Sequence, residues 1–147
     1  MADRPARPTR ADFARFVPIG TRWEDNDIYG HVNNVVYYSY FDTAVNGLLI
    51  EAGALDLDRG EIVGLVVSNA CDFFASVRFP DRLELGVRVE HVGRSSVRYL
   101  IGVFREGEDL AAARGLFTHV YVERATQTPV AIPASTRAFL ESLRAGA

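Results

Sequence analysis

Two carboxylates two residues apart open the run Asp25-Asn26-Asp27-Ile28-Tyr29-Gly30-His31-Val32-Asn33-Asn34. A carboxylate can attack a carbonyl carbon or take a proton from water, and either reaction needs donors that stabilise the resulting oxyanion. Asn33 or Asn34 can cap a helix starting at this point. The first N–H groups of a helix have no partner within it and lie at the positive end of its dipole. With Gly30 allowing a sharp turn in between, the Asp27 carboxylate and the amides near Asn34 can face one small volume. An Asp-x-Asp pair alone is usually a turn former. Joined to Gly30, His31, Asn33, Asn34 and a following helix, it becomes a candidate site.

Other chemistries are harder to build from this chain. All sixteen basic residues are arginine, which removes Schiff-base and Walker-type lysine chemistry. The three histidines, His31, His91 and His119, lie far apart without helical metal-ligand spacing, so no metal site is expected. Neither a Gly-x-Ser-x-Gly elbow nor a Gly-x-Gly-x-x-Gly fingerprint occurs. Cys71, the single cysteine, sits in an apolar alternating run and reads as a small core residue. Hydrolysis by a carboxylate is what remains, and it calls for no cofactor.

The elements that must carry these residues are readable from periodicity. Residues 1–12 read as a flexible N-terminal arm and residues 13–147 as a single domain, with a first strand between Phe13 and Trp23. Tyr37, Tyr40, Phe41, Ala44, Val45, Leu48 and Ala52 follow helical spacing from the asparagines to Gly53. Val35, Val36, Tyr38, Leu49 and Ile50 occupy the other sides, which predicts a helix buried nearly all round, and Gly47 predicts close packing within it. Beyond Gly60 the period becomes two. Val63 to Val77, Leu83 to Val89, Val97 to Val103 and Leu110 to Val122 predict four strands. Breaks at Pro80-Asp81, Gly93-Arg94 and Glu106-Gly107 are short enough for hairpins, which makes the sheet antiparallel. Ser135 to Leu143 predicts a short terminal helix. The pattern gives an α+β fold in which a curved antiparallel sheet wraps a long central helix, with cystatin-like or ferredoxin-like arrangements as alternatives.

Net charge is −3 with basic and acidic residues interspersed, so nucleic acid is not an expected partner. No apolar run suggests a membrane span or leader, and a cytoplasmic location is the simplest expectation. Uncovered strand edges predict self-association.

The segment from Asp25 to Asn34 resembles the opening signature of hotdog-fold acyl-CoA thioesterases, the group typified by 4-hydroxybenzoyl-CoA thioesterase. The similarity runs from about residue 16 to 125. It implies a hotdog fold and hydrolysis of an acyl-CoA to a carboxylic acid and coenzyme A, by a homodimer or homotetramer. Carried over by position, Asp27 is the nucleophile or general base, the Asn34 backbone amide polarises the carbonyl, and Asp25 supports. The Gly-His-Val-Asn-Asn form also looks like acyl-carrier-protein thioesterases, and His31 and Asn33 become helpers. Tyr37, with Tyr40 and Phe73, bears on pocket volume. Arg94, Ser95 and Ser96 lie where related enzymes contact coenzyme A phosphates, usually from another subunit, and arginine suits bidentate phosphate binding. Within the same fold an enoyl-CoA hydratase using His31 with Asp27, or a non-catalytic acyl-CoA-binding protein, is the alternative.

Overall fold

The computed structural model describes residues 5–144. Its elements run β1 (Arg15–Gly20), α1 (Val36–Glu51), β2 (Ile62–Phe73), β3 (Arg82–Val92), β4 (Ser96–Arg105), β5 (Ala113–Glu123) and α2 (Ala134–Ser142). The five strands form one antiparallel sheet in the order β1-β3-β4-β5-β2. This is the sheet and long helix that the hotdog resemblance implies.

The helix is held by its apolar stripe. Tyr37, Tyr40, Phe41, Ala44, Val45, Leu48 and Leu49 recur at i, i+3 and i+4 and are all buried. They meet the inward set of the strands: Leu83, Leu85, Val87 and Val89 on β3, Val97, Tyr99, Ile101 and Val103 on β4, and Phe117 on β5. The two alternations expected for β3 and β4 are therefore core faces. At the centre, the tip of the Phe41 ring reaches the β5 backbone, because Gly115 has no side chain. A Cβ there would come within 2.5 Å of the ring. A second cluster, Phe13, Leu100, Phe104 and Ala111, packs on the opposite face, with the rings of Phe13 and Phe104 edge to face at 5.8 Å.

Several expectations are corrected. The arm expected to be flexible over residues 1–12 is docked from Arg7 onward. Thr9 bridges to Leu110, the Ala111 N–H donates to the Pro8 carbonyl, and Arg7 Nε donates to the Ala111 carbonyl at 2.7 Å. Residues 1–4 lie outside the described residues. Trp23 belongs to a 3-10 turn after β1 and not to the first strand. The long helix starts at Val36, with Val35 at its cap position and no side-chain cap. Asn33 instead closes a turn, its Oδ1 accepting the Val35 N–H at 3.0 Å. Val35 and Ile50 are exposed, so one side of α1 is open in a single chain. Gly47 lies on that open side with nothing within 4 Å of its would-be Cβ, so close packing is not its role.

The strand expected from Val63 to Val77 ends at Phe73, and a bulge between Val66 and Ser68 interrupts its alternation. The Pro80-Asp81 break is not a hairpin. β2 pairs with β5 at one edge of the sheet, and the chain crosses to begin β3 beside β1.

Candidate active site

The segment before α1 folds back on itself because Gly30 adopts φ +84°, which favours glycine. The Gly30 N–H donates to the Asp27 carbonyl at 3.1 Å and the Asp27 N–H to the His31 carbonyl at 3.0 Å, closing a tight loop. Asp27 Oδ1 accepts the Tyr29 N–H at 2.9 Å, which aims the carboxylate. The rings of Tyr29 and His31 stack with centroids 6.4 Å apart.

Two tethers hold this loop to the body. In the first, the Val32 N–H donates to the Val77 carbonyl at 2.8 Å, and Asn26 Oδ1 accepts the Phe79 N–H at 3.0 Å. The other tether is Asp25. Only 1% exposed, its carboxylate accepts Tyr40 Oη–H at 2.7 Å, the Arg22 N–H at 2.9 Å, and Arg22 Nε and Nη2 at 3.0 and 2.9 Å. Burial by itself would raise the Asp25 pKa. The bonds from Tyr40 and Arg22, with the arginine charge, outweigh it and hold the carboxyl below its ordinary value. Burial, then the bond to Asp25, pushes the Tyr40 hydroxyl up. Asp25 is therefore a clamp between the loop and α1, and its main-chain carbonyl also accepts the Asn33 N–H at 3.0 Å.

A cavity of about 430 Å³ opens at this loop, lined by Asp27, Tyr29, His31, Asn34, Tyr37, Phe73 at the end of β2 and the Phe74–Ser76 segment after it. Tyr37 and Phe73 meet edge to face at 4.9 Å and form its apolar wall. Burial, then the neighbouring Cys71, pushes the Tyr37 hydroxyl up to about 12. Cys71 is itself pushed up to about 12 by burial and then Asp72, so it is a neutral thiol at physiological pH. The amides at the start of α1 divide cleanly. Val35 donates to Asn33 Oδ1, Val36 to the Asn33 carbonyl and Tyr37 to the Asn34 carbonyl, whereas the Asn34 N–H has no partner among the described residues. Asp27, a carboxylate, and Asn34, whose N–H is uncommitted, thus share one lining.

The structure brings Asp27, His31, Asn34 and Tyr37 together in this lining, with Asn33 just behind as a turn former. It does not bring Arg94, Ser95 and Ser96 to it. Ser96 pairs with Val120, and Val120 with Leu65, so that hairpin lies beside the opening half of β2. Phe73, which lines the cavity, is eight residues further along the strand, about 26 Å at the usual rise. The hairpin backbone is also committed: the Arg94 carbonyl accepts the Ile132 N–H and the Ser95 carbonyl the Tyr121 N–H. Sequence reasoning missed the Arg22–Asp25–Tyr40 clamp, although Tyr40 lies on the helical stripe and Arg22 three residues from Asp25. It also missed the Phe74–Ser76 wall, which carries no sequence signal.

A profile of the thioesterase superfamily matches residues 29–112, more than half of the chain. The chain belongs to that superfamily. This thioester hydrolase is similar to solved structures over nearly its whole length. The PA5185 protein of Pseudomonas aeruginosa strain PAO1 superposes with a TM-score of 0.93 at 56% identity, over 97% of this chain and 99% of that one. A thioesterase from Thermus thermophilus, solved with coenzyme A and Zn, superposes with a TM-score of 0.74 at 31% identity, over 90% and 95%. The YsmA protein of Bacillus subtilis is 26% identical over 107 residues, 72% of each chain. The profile match begins after Asp25 and Asp27 and takes in Gly30 to Asn34, α1 and the cavity wall. No helix among the described residues is long and apolar enough to cross a membrane.

Proposed function

We propose that this thioesterase hydrolyses an acyl-CoA to a carboxylic acid and coenzyme A at the Asp27 cavity. The observation that carries the reading is the unpaired Asn34 N–H on the same lining as the Asp27 carboxylate. A thioester carbonyl seated there would direct its oxygen to that N–H and its carbon to Asp27. The carboxylate either removes a proton from attacking water or attacks the carbon itself to form a mixed anhydride that water then opens. In both routes the C–S bond breaks and coenzyme A leaves as thiolate and takes up a proton. In the general-base route water supplies the new acid oxygen, whereas in the anhydride route Asp27 gives its oxygen to the acid and water attacking the aspartyl carbon restores the carboxylate. His31 and Asn33 shape the loop around this pair, and Tyr37 with Phe73 faces the acyl group. Coenzyme A as the carrier is supported by the Thermus thermophilus relative bound to it.

The same reading makes the functional unit a homodimer joined through β2, with a homotetramer as a pairing of such dimers, acting in the cytoplasm. β2 is a twelve-residue edge strand with Leu65, Val66 and Val67 exposed, an edge that calls for a partner strand. Antiparallel pairing about a twofold axis would set the start of one β2 against the end of the other. The Arg94–Ser96 hairpin of one copy would then approach the Asp27 cavity of its partner, which supports their role toward coenzyme A phosphates.

The test is Asp27→Asn, assayed by thiol release across short, medium, long and aromatic acyl-CoAs, with acyl-carrier-protein substrates in the same panel. A fall in kcat by orders of magnitude with an unchanged fold is expected. Hydrolysis near the wild-type rate would remove Asp27 from the mechanism. Single-turnover reaction in heavy-oxygen water separates the routes, because label enters Asp27 only through an anhydride.

A further inference from the structure

The Asp27 cavity has a neighbour. A hollow of about 390 Å³ lies on the other side of His31 and Ser76, two residues that line both. Arg78, Asp81 and Arg105 are among its remaining walls. The two hollows therefore adjoin across a His31–Ser76 rim, one with the Asp27 carboxylate and the other with two guanidinium groups.

The arginines are set by the turn that leads into β3. The Asp81 N–H donates to the Arg78 carbonyl at 2.7 Å, and Asp81 Oδ2 accepts the Arg78 N–H at 3.0 Å and lies 3.5 Å from Arg105 Nε. Asp81 thus fixes the backbone that carries Arg78, and its charge is offset by Arg105. The Arg105 side chain stays 46% exposed, with its further ion pair, to Glu108, stretched to 3.9 Å. Arg78 is exposed, and its guanidinium has no hydrogen bond or ion pair among the described residues. A guanidinium fork with its donors free matches the oxygens of a phosphate.

The spacing between the two hollows fits one feature of the substrate. Asn26 bridges to Val32, and the Val32 N–H donates to the Val77 carbonyl. Asp27 and Arg78 therefore stand on backbone segments two such spacings apart, about 10 Å. The pantetheine arm, which joins a thioester sulfur to the first phosphate of its carrier, has the backbone length of about four extended residues, about 14 Å. An arm that begins at the Asp27 cavity is long enough to cross the rim to Arg78.

We infer that Arg78, with Arg105 beside it, binds the phosphate at the end of the pantetheine arm. The inference rests on the thioester seat proposed at Asp27 and adds the place where the carrier is held. Coenzyme A and the phosphopantetheine of an acyl-carrier protein both end the arm in this phosphate. Coenzyme A has a further phosphate on its ribose, which leaves a ligand for the Arg94–Ser96 hairpin as well.

The experiment titrates the full-length protein by calorimetry with 4′-phosphopantetheine and with pantetheine, which differ only in the phosphate. Phosphopantetheine should bind at least tenfold tighter, and Arg78→Gln should shrink that ratio at least fivefold. Because the Arg78 side chain has no partner to lose, this variant should fold as the wild type and carries the test even if Arg105→Gln, which gives up its pair with Asp81, does not. Arg144→Gln removes the same charge from the end of α2 and should leave the ratio intact. Equal affinity for the two ligands, no saturable binding of either, an undiminished ratio in Arg78→Gln, or an equal fall in Arg144→Gln would overturn the inference. Thiol release from acyl-CoA and from an acyl-carrier protein reads the proposed function separately. Hydrolysis of the carrier-protein thioester alone, with the phosphate preference intact, would remove the acyl-CoA reading and support Arg78 as the phosphate ligand.

Discussion

Replacing Tyr40 with phenylalanine probes how the loop that carries Asp27 is fixed to the core. The substitution deletes one oxygen and keeps the ring, which is only 4% exposed and packs on Tyr37 at 6.0 Å. Of the four hydrogen bonds to the Asp25 carboxylate it removes the shortest, at 2.7 Å, and leaves three from Arg22. A hydrogen bond to a buried charged group is worth about 1.5–3 kcal/mol. At about 2–4 °C per kcal/mol for a chain of this size, Tm should fall by roughly 3–12 °C. The loss should also depend on pH. Asp25 has a folded pKa below its unfolded value, so its stabilisation is complete above the unfolded pKa, about 3.9, and is lost as pH falls through the folded pKa. Without Tyr40 Oη that folded pKa rises. The gap between wild type and variant should therefore be constant from about pH 7 to 5 and narrow in more acid solution, where a protonated Asp25 retains only a neutral bond to lose. Urea denaturation at a series of pH values measures this directly. A Tm unchanged within about 1 °C, or a gap that widens toward acid, would refute the clamp as the reason Asp25 is buried.

Three further outcomes follow from other parts of the molecule. Asn34→Pro, which removes the unpaired N–H, should lower kcat by about 10²–10³, whereas Asn34→Ala, which keeps it, should stay within a few-fold, as measured by thiol release on variants shown to be folded by circular dichroism. Gly115→Ala should destabilise by about 1–3 kcal/mol in chemical denaturation, because its Cβ would meet the Phe41 ring at 2.5 Å in the middle of the core. His119 titrates near 4 when folded against about 6.5 unfolded, so the unfolded chain binds more protons in between and stability should drop as pH falls from about 6.5 to 4. The slope from this group reaches at most about 1.4 kcal/mol per pH unit, and His119→Phe should flatten that part of the stability curve by as much.

The parts of the fold that were readable in the sequence are those set within one element. The stripe from Tyr37 to Leu48, the alternations of β3 and β4, and the helix near Ser135 to Leu143 each depend on the period of their own backbone, 3.6 or 2, and each is present. The loop from Asp25 to Asn34 was also legible, since Gly30 and the asparagines act through turns a few residues long. Where two readings of a local pattern were possible, neighbours far along the chain decided. The bulge at Val66/Ser68 and the end of β2 at Phe73 follow from pairing with β5, not from the apolar alternation, which runs on to Val77.

The amino-acid sequence by itself determined the chemistry on offer: a carboxylate at Asp27, a turn at Gly30 and a helix start near Asn34, in an order that short-range geometry obliges to meet. Tertiary structure alone decided what surrounds them. Closing the sheet as β1-β3-β4-β5-β2 places Phe73 against Tyr37 and leaves β2 an open edge, sends Arg94 to the far end, and buries Asp25 under Tyr40. Those contacts join residues many positions apart, and their geometry is set by which strands pair and which faces bury, a choice that no single stretch of chain encodes.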